Sequence, residues 1–136
     1  MDLEAARAFI RQNHRAVLAT RRQDGSAQLS PVVCAVDGDG RVVVSTRETA
    51  MKVANLRRDP SISVCVLSDS FFGEWRQVDG RAEIVSLPGA MEGLVDYYRS
   101  ISGEHADWDD YRAAMVRDRR VLVRIELTRA GPDRAG

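Results

Sequence analysis

Hydrophobic positions recur along the chain with two different spacings, and the change between them marks the predicted elements. Residues 2–13 carry apolar side chains at helical spacing, which predicts that the chain opens with a short amphipathic helix. The apolar face of this helix consists of Leu3, Ala6, Phe9 and Ile10. Three short strand-like runs separated by Asp-Gly turns follow, and they predict a three-stranded antiparallel meander. These runs span residues 15–22, 27–36 and 41–46.

The middle of the chain predicts one short helix before the next strand. Thr49 is a suitable N-terminal cap for this helix, and the Asp59-Pro60 pair is a suitable end. The residues expected to face inward are Met51, Ala54 and Leu56. The helix therefore begins directly after the third strand of the meander.

The rest of the chain predicts three more strands and two more helices. The strands span residues 61–69, 75–85 and 120–127, and the helices span residues 91–103 and 107–117. A bend is expected at Gly80, and alternate residues of the last strand share one face, namely Val121, Val123, Ile125 and Leu127.

These segments together define the predicted fold class. Six strands with short connections, without a repeating strand-helix-strand pattern, favour a small closed antiparallel barrel over a doubly wound parallel sheet. We expect a mainly β (α+β) fold with peripheral helices, in one domain over residues 1–130, followed by a flexible tail over 131–136.

Composition and charge narrow the classes of partner. The chain has 136 residues, a normal size for one domain, and its 20 basic residues balance its 20 acidic ones. Zero net charge gives no electrostatic reason to bind nucleic acid or an anionic membrane. The N-terminal region lacks the continuous apolar run of a signal peptide, so we expect a cytoplasmic protein. Cys34 and Cys65 lie in apolar strand-like runs and fit buried thiols in a reducing compartment.

The sequence lacks the side-chain sets that metal or hydrolytic catalysis requires. Its two cysteines and two histidines are scattered without ligand spacing, so no metal site is expected. Neither GxGxxG, GxxxxGK[ST] nor GxSxG occurs. His14 and His105 each adjoin the end of a predicted helix, where structural roles are expected. We therefore predict neither a metal nor a catalytic side chain.

Lys52 is the only lysine in a chain with nineteen arginines. The arginine bias is typical of GC-rich codon usage, so the lysine is either a solvated surface residue or the mark of a particular site. A site that needs a compact ammonium on a flexible stem is not served by a planar guanidinium, so arginine does not replace lysine there. The residues around Lys52 decide between the two interpretations.

Three features in a fixed order carry a resemblance to a known family. They are the pattern LATxxxDGxxxxSPV from Leu18 to Val32, a strand ending in Ser45-Thr46-Arg47, and a helix that carries Lys52 and ends in NLRRDP. Their order and spacing resemble the pyridoxamine 5′-phosphate oxidase-like split β-barrel superfamily, and within it the class that uses the deazaflavin coenzyme F420. The segment over residues 94–127 is similar to one actinobacterial subgroup of that class.

The resemblance implies a homodimer with two cofactor sites in the clefts between subunits. It also implies hydride transfer from reduced F420 to a conjugated small-molecule acceptor, with the hydride chemistry belonging to the cofactor. Two alternatives stay open: an enzyme that uses flavin mononucleotide (FMN) on the same fold, and a non-catalytic carrier of F420 or of a tetrapyrrole-like ligand.

The resemblance also assigns cofactor-binding roles by position. Lys52 matches the ligand of the cofactor phosphate, on a helix start whose free N–H groups also attract anions. The residues that match polar contacts to phosphate or ribityl oxygens are Ser45, Thr46 and Arg47. The residues that border the cofactor ring are Ser30, Pro31 and Val32, with Thr20 on the neighbouring strand.

Further positions have both a functional and a structural interpretation. Trp75, preceded by Phe71 and Phe72, is a candidate to cover the ring or the acceptor from the partner subunit, or else to pack. Arg57 and Arg58 are candidates for the glutamyl tail of the coenzyme, or else favourable charges at a helix C-terminus. Candidates for the acceptor pocket are Tyr97, Tyr98 and Trp108. The subgroup often carries an arginine where this chain has Ala50, and whether Arg47 replaces that charge stays open.

Overall fold

A computed structural model describes residues 1–133 of the protein. The chain forms six strands, which are β1 (Arg15–Arg21), β2 (Ala27–Val36), β3 (Val42–Arg47), β4 (Ser61–Leu67), β5 (Trp75–Val85) and β6 (Arg120–Gly131). It also forms four helices, which are α1 (Leu3–Gln12), α2 (Met51–Arg58), α3 (Met91–Ser102) and α4 (Trp108–Arg117). The sequence predicted all ten elements, with bounds that differ by a few residues.

The six strands close into one antiparallel barrel in the order β1-β2-β3-β6-β5-β4. This confirms the predicted mainly β (α+β) barrel with peripheral helices. Alternate residues of each strand face the interior, where valine, leucine and isoleucine side chains form the main core. Helix α1 adds Ala6 and Ile10, both fully buried, to that core. Apolar side chains, including two from α1, thus fill the inside of the barrel.

Helices α3 and α4 cover one outer face of the barrel and form a second apolar cluster there. Leu94 and Val95 of α3 pack with Ala35, Val43 and Leu122, which point outward from their strands. Outward residues of these strands are therefore apolar where a helix covers them. None of the helices in residues 1–133 is long and apolar enough to span a membrane.

The expected bend in β5 is present as an irregularity in the pairing of β5 with β6, where the register shifts between Asp79 and Gly80. A side chain at position 80 would collide with the main-chain carbonyl of Glu126 and approach Ile125 within 2.9 Å. Glycine is required here because the two strands approach each other too closely for a Cβ atom.

Three expectations for local structure were wrong. Thr49 does not cap α2: the N-cap position is Ala50, which makes no side-chain capping hydrogen bond. Met51 is 61% exposed and Ala54 is also exposed, whereas the buried residues of α2 are Val53, Asn55 and Leu56. The helix starts one residue later than Thr49 capping requires, so its inward face differs from the predicted one.

The final strand is also longer than predicted. β6 continues through Gly131, because its far half pairs with β5 as far as Gln77. The start of the expected flexible tail, at residue 131, therefore belongs to the barrel. Residues 134–136 lie outside the described part of the chain.

Candidate functional site

The barrel is split between β2 and β3. These strands pair only through Cys34–Val36 and Val42–Val44, as far as the described structure extends. Residues 27–33 of β2 pair with β1 alone, and residues 45–47 of β3 pair with β6 alone. The two strands thus diverge into a gap whose sides are unpaired strand edges, and such edges offer main-chain hydrogen-bonding groups to a ligand.

Tyr97 of α3 stands where the ladder stops. The Cys34 amide donates to the His14 carbonyl oxygen on the β1 side. Main-chain groups of successive strand residues point to opposite sides, so the N–H and C=O groups of Val33 face β3. If the register continued, Val33 would pair with Ser45. The Tyr97 hydroxyl instead donates to the Val33 carbonyl oxygen at 2.8 Å. Burial raises the pKa of that hydroxyl, and a hydrogen bond from the Ser45 main chain opposes part of the rise. The Tyr97 hydroxyl therefore takes the place of a main-chain hydrogen bond between β2 and β3.

The predicted ring-binding segment forms the β2 side of the gap. Continuing the register would place Val32 opposite Thr46 and Pro31 opposite Arg47. Alternation along β2 directs the nitrogen of Pro31, which carries no proton, toward the open edge. The Ser30 hydroxyl is buried and has no hydrogen-bond partner among the described residues. Buried hydroxyls are usually satisfied, so a ligand at the gap is a natural partner for Ser30.

Lys52 lies on the β3 side of the gap, in the first turn of α2. Its ammonium donates to the Thr46 hydroxyl at 3.4 Å. Burial lowers the pKa of Lys52, and the positive charge of Arg120 lowers it further. Within residues 1–133, no carboxylate lies within 4.0 Å of this ammonium. The pair of Lys52 and Thr46 is thus half-buried, positively charged and electrostatically uncompensated.

A buried amide fixes α2, and with it Lys52, to the first hairpin. The side-chain nitrogen of Asn55 donates to the Thr20 hydroxyl at 3.1 Å and to Gln28 at 2.7 Å. Its oxygen accepts from Arg58 at 3.0 Å, and Arg58 also donates to the carbonyl of Arg21 at 2.7 Å. Thr20 is only 1% exposed, so it acts on the position of α2 rather than lining the gap. Sequence reasoning missed Asn55, since its burial depends on the phase of α2.

The other predicted cations differ in how free they are to bind a ligand. Arg57 forms a 2.6 Å ion pair with Glu48, which also accepts a hydrogen bond from Ser86. The pKa of Glu48 is lowered mainly by its hydrogen bond with Arg57. Arg47 is exposed at the end of β3 and makes no ion pair within the described residues. Arg57 is therefore neutralised in place, while Arg47 is free.

Arg120 is a cation at the site that the sequence did not indicate. It is the first residue of β6 and pairs directly with Arg47 of β3. Its Nε atom is buried and has no hydrogen-bond partner in the part of the chain described. The sequence signal was the Arg119-Arg120 pair before the last strand, which is uninformative until the β3–β6 register is known.

Trp75 lies on a different face of the same barrel. Strand pairing places Val33, Arg15, Leu67 and Trp75 in one row across β2, β1, β4 and β5. Three strand spacings separate Trp75 from Val33, which is about 14 Å along the curved sheet. Phe71 and Phe72, in the loop before Trp75, are 75% and 94% exposed. These aromatics do not line the gap of this chain.

The remaining aromatic candidates pack against one another instead of lining the gap. Tyr98, His105, Trp108 and Tyr111 have ring centroids 5.0–5.7 Å apart. The Tyr111 hydroxyl donates to the Leu94 carbonyl at 2.7 Å, which joins α4 to α3. Tyr98 and Trp108 thus have structural contacts, and of the three predicted pocket aromatics Tyr97 is the one at the split.

The fold and the gap together define a split β-barrel of the α+β class, with a cationic site at the point where the barrel opens. The chain belongs to the pyridoxamine 5′-phosphate oxidase family, whose model matches residues 3–131.

Solved structures show the same fold. The conserved hypothetical protein Rv2991 from Mycobacterium tuberculosis is 28% identical, with a TM-score of 0.76 over 96% of this chain and 82% of that one. A protein described as an F420 reductase is 21% identical, with a TM-score of 0.70 over 91% and 94% of the two chains. A heme binding protein from Mycobacterium smegmatis is 18% identical, with a TM-score of 0.70 over 94% of this chain and 52% of that one.

Proposed function

We propose that the protein is a cytoplasmic oxidoreductase that binds coenzyme F420 at the split and reduces a conjugated small-molecule acceptor. The observation that carries this proposal is the half-buried Lys52 ammonium beside Thr46, without a carboxylate partner in residues 1–133. A phosphate group would supply the missing negative charge through charge-assisted hydrogen bonds. The similarity to a protein described as an F420 reductase supports the choice of deazaflavin.

The residues at the gap fit such a cofactor. Lys52 and Thr46 would hold the phosphate, and Ser45 lies beside them on β3. The unpartnered Ser30 hydroxyl and the apolar Val32 would border the ring. When bound, reduced F420 supplies the hydride. The residues of this chain bind and orient the cofactor, and Tyr97 holds the strand edges apart at the point where it enters.

We also propose that a second copy of the chain completes the site. The outer face of β1, β4 and residues 27–33 of β2 lies beyond the cluster in which α3 covers Ala35, and many of its outward side chains are apolar. They include Val17, Ala19, Leu29, Pro31, Val33, Cys65 and Leu67. Leu29 is 66% exposed and Val33 is 42% exposed. An exposed apolar sheet face of this kind is typical of an interface, and it is continuous with the β2 edge of the gap.

Cofactor titration tests the proposed activity. The purified apoprotein is titrated with F420 and with FMN, and the binding of each is followed by fluorescence. We expect F420 to bind more tightly, and Lys52→Met to weaken it about 10- to 100-fold, because one charge-assisted hydrogen bond contributes about 1.5–3 kcal/mol. The matched control is Arg22→Ala, which removes a positive charge from the exposed β1–β2 turn. Tight FMN binding without F420 binding would refute the deazaflavin assignment.

A carrier is the second candidate, supported by the similarity to a heme binding protein. A carrier would bind F420 or a tetrapyrrole without reducing any acceptor. The protein loaded with reduced F420 is therefore screened against conjugated acceptors while the absorbance of the cofactor is followed. Oxidation of the cofactor that depends on the acceptor supports the oxidoreductase, and heme binding in preference to F420 supports the carrier.

A further inference from the structure

The turn between α4 and β6 has a backbone conformation that its sequence does not favour. Arg119 has φ of 54°, in the left-handed region, and it is the one non-glycine residue with positive φ in the described chain. It directly follows the C-cap Asp118 of α4, the position where glycine is usual. A side chain with a Cβ is strained here, so the turn retains an arginine where glycine would be more stable.

The turn is tied to the end of β3. The Arg119 carbonyl accepts a hydrogen bond from the Glu48 amide at 2.9 Å, and the next residue, Arg120, pairs with Arg47. Like charges directly opposite each other across two strands are destabilising. The buried Nε of Arg120 has no partner within residues 1–133, and the charge of Arg120 also acts on Lys52. Arg47, Lys52 and Arg120 thus surround the end of β3. An anion bound among these three cations would relieve their mutual repulsion.

A cavity of about 380 Å³ adjoins these cations. It is lined by Glu48, Ser86, Leu87, Val116, Arg119 and Arg120. Glu48 is the only acidic residue of the lining; its carboxylate forms an ion pair with Arg57, and the positive charge of Arg119 also lowers its pKa, so one acid faces three arginines. The cavity therefore has a net positive lining, and Arg120 is shared between it and the site of Lys52.

We propose that the α4–β6 turn is a second part of the anion site: Arg120 binds the phosphate together with Lys52, and Arg119 binds an acidic substituent beyond the phosphate. This inference rests on the proposed function, and it names the ligand class as a phosphodiester that continues into a carboxylate chain. A terminal phosphate monoester would end at Lys52 and Arg120 and would leave the adjoining cavity without a role. Arg120 thus supplies the second cation that Ala50 does not.

The experiment compares ligands that differ only in their anionic parts. F420 carries a phosphodiester and carboxylates, FMN carries a terminal phosphate, and riboflavin and the deazaflavin riboside carry neither. Arg120→Gln should weaken F420 about 10- to 100-fold and leave the deazaflavin riboside unchanged, because the lost contact is charge-assisted. Equal weakening of F420 and the deazaflavin riboside would overturn the role of Arg120.

A second variant keeps the test independent of folding defects. Arg119→Gly relieves the strained conformation, so it should raise the midpoint of thermal unfolding by about 4 °C while weakening F420 several-fold and leaving FMN unchanged. The matched control is Arg117→Ala, which removes an exposed charge from the last turn of α4. Unchanged F420 affinity in Arg119→Gly would overturn the extended site.

The FMN arm separates this inference from the proposed function. If the wild-type protein binds FMN in preference to F420, the deazaflavin assignment fails, and with it the role of Arg119. The role of Arg120 is then measured by the ratio of FMN to riboflavin affinity. A ratio lowered by Arg120→Gln supports that role, and an unchanged ratio overturns it.

Discussion

Replacement of Asn55 by alanine tests whether the buried amide fixes α2 to the barrel. Asn55 is 2% exposed and takes part in three side-chain hydrogen bonds, with Thr20, Gln28 and Arg58. Each bond contributes about 0.5–1.5 kcal/mol, and a buried partner left unsatisfied costs about 1–3 kcal/mol. We therefore expect Asn55→Ala to lower the free energy of unfolding by about 2–4 kcal/mol, a large part of the 5–15 kcal/mol typical of a domain.

Urea unfolding followed by circular dichroism measures this loss, and Asn13→Ala is the matched control. Asn13 is half-buried, and its side chain makes one hydrogen bond, to the Phe9 carbonyl, so its removal should cost less than about 1 kcal/mol. The double variant with Thr20→Val removes both partners of the buried bond and should recover part of the stability. A loss below about 0.5 kcal/mol for Asn55→Ala would refute the reasoning. The Asn55→Ala variant should also bind F420 more weakly, because Asn55 fixes α2 and α2 carries Lys52.

Three further predictions concern the core, the barrel closure and the outer face. Burial raises the pKa of the Cys34 thiol to about 12, so stability should fall as the pH rises from 9 toward 12, and Cys34→Ala should flatten that decline in alkaline urea titrations. Gly80→Ala should lower the unfolding midpoint sharply because no space exists for a Cβ, whereas Gly38→Ala, in open space, should not. If the proposed dimer forms, Leu29→Glu should shift it to monomer in size-exclusion chromatography, whereas Val116→Glu, similarly exposed on α4, should leave it intact.

The sequence predicted the elements of this fold well because their hydrophobic periods are clear. The Asp-Gly turns and the strand-like runs between them specify the meander locally, and Gly80 marks the strand irregularity. The prediction of the inward face of α2 was wrong because eight residues are too few to fix a helical phase, and because the N-cap is Ala50 rather than Thr49. Asn55 could not be found by polarity, since a buried amide and a surface amide look the same in a sequence.

The candidate site was predictable only where a local pattern carries it. Lys52 and Thr46 are close in sequence and meet through one helix start. Arg120 and Tyr97 reach the site through the register of β3 with β6 and through the packing of α3. These contacts join residues more than sixty positions apart, so no local spacing encodes them.

The split has a consequence for solubility as well as for binding. An open strand edge is a template on which another chain can add a strand, and the first step toward aggregation is often such an addition. Pro31 presents no proton to an incoming strand, and Tyr97 occupies the Val33 carbonyl at the inner end of the edge. The two residues that shape the mouth of the gap therefore also protect it, so an empty site can persist in the cell without recruiting the backbone of a neighbouring molecule.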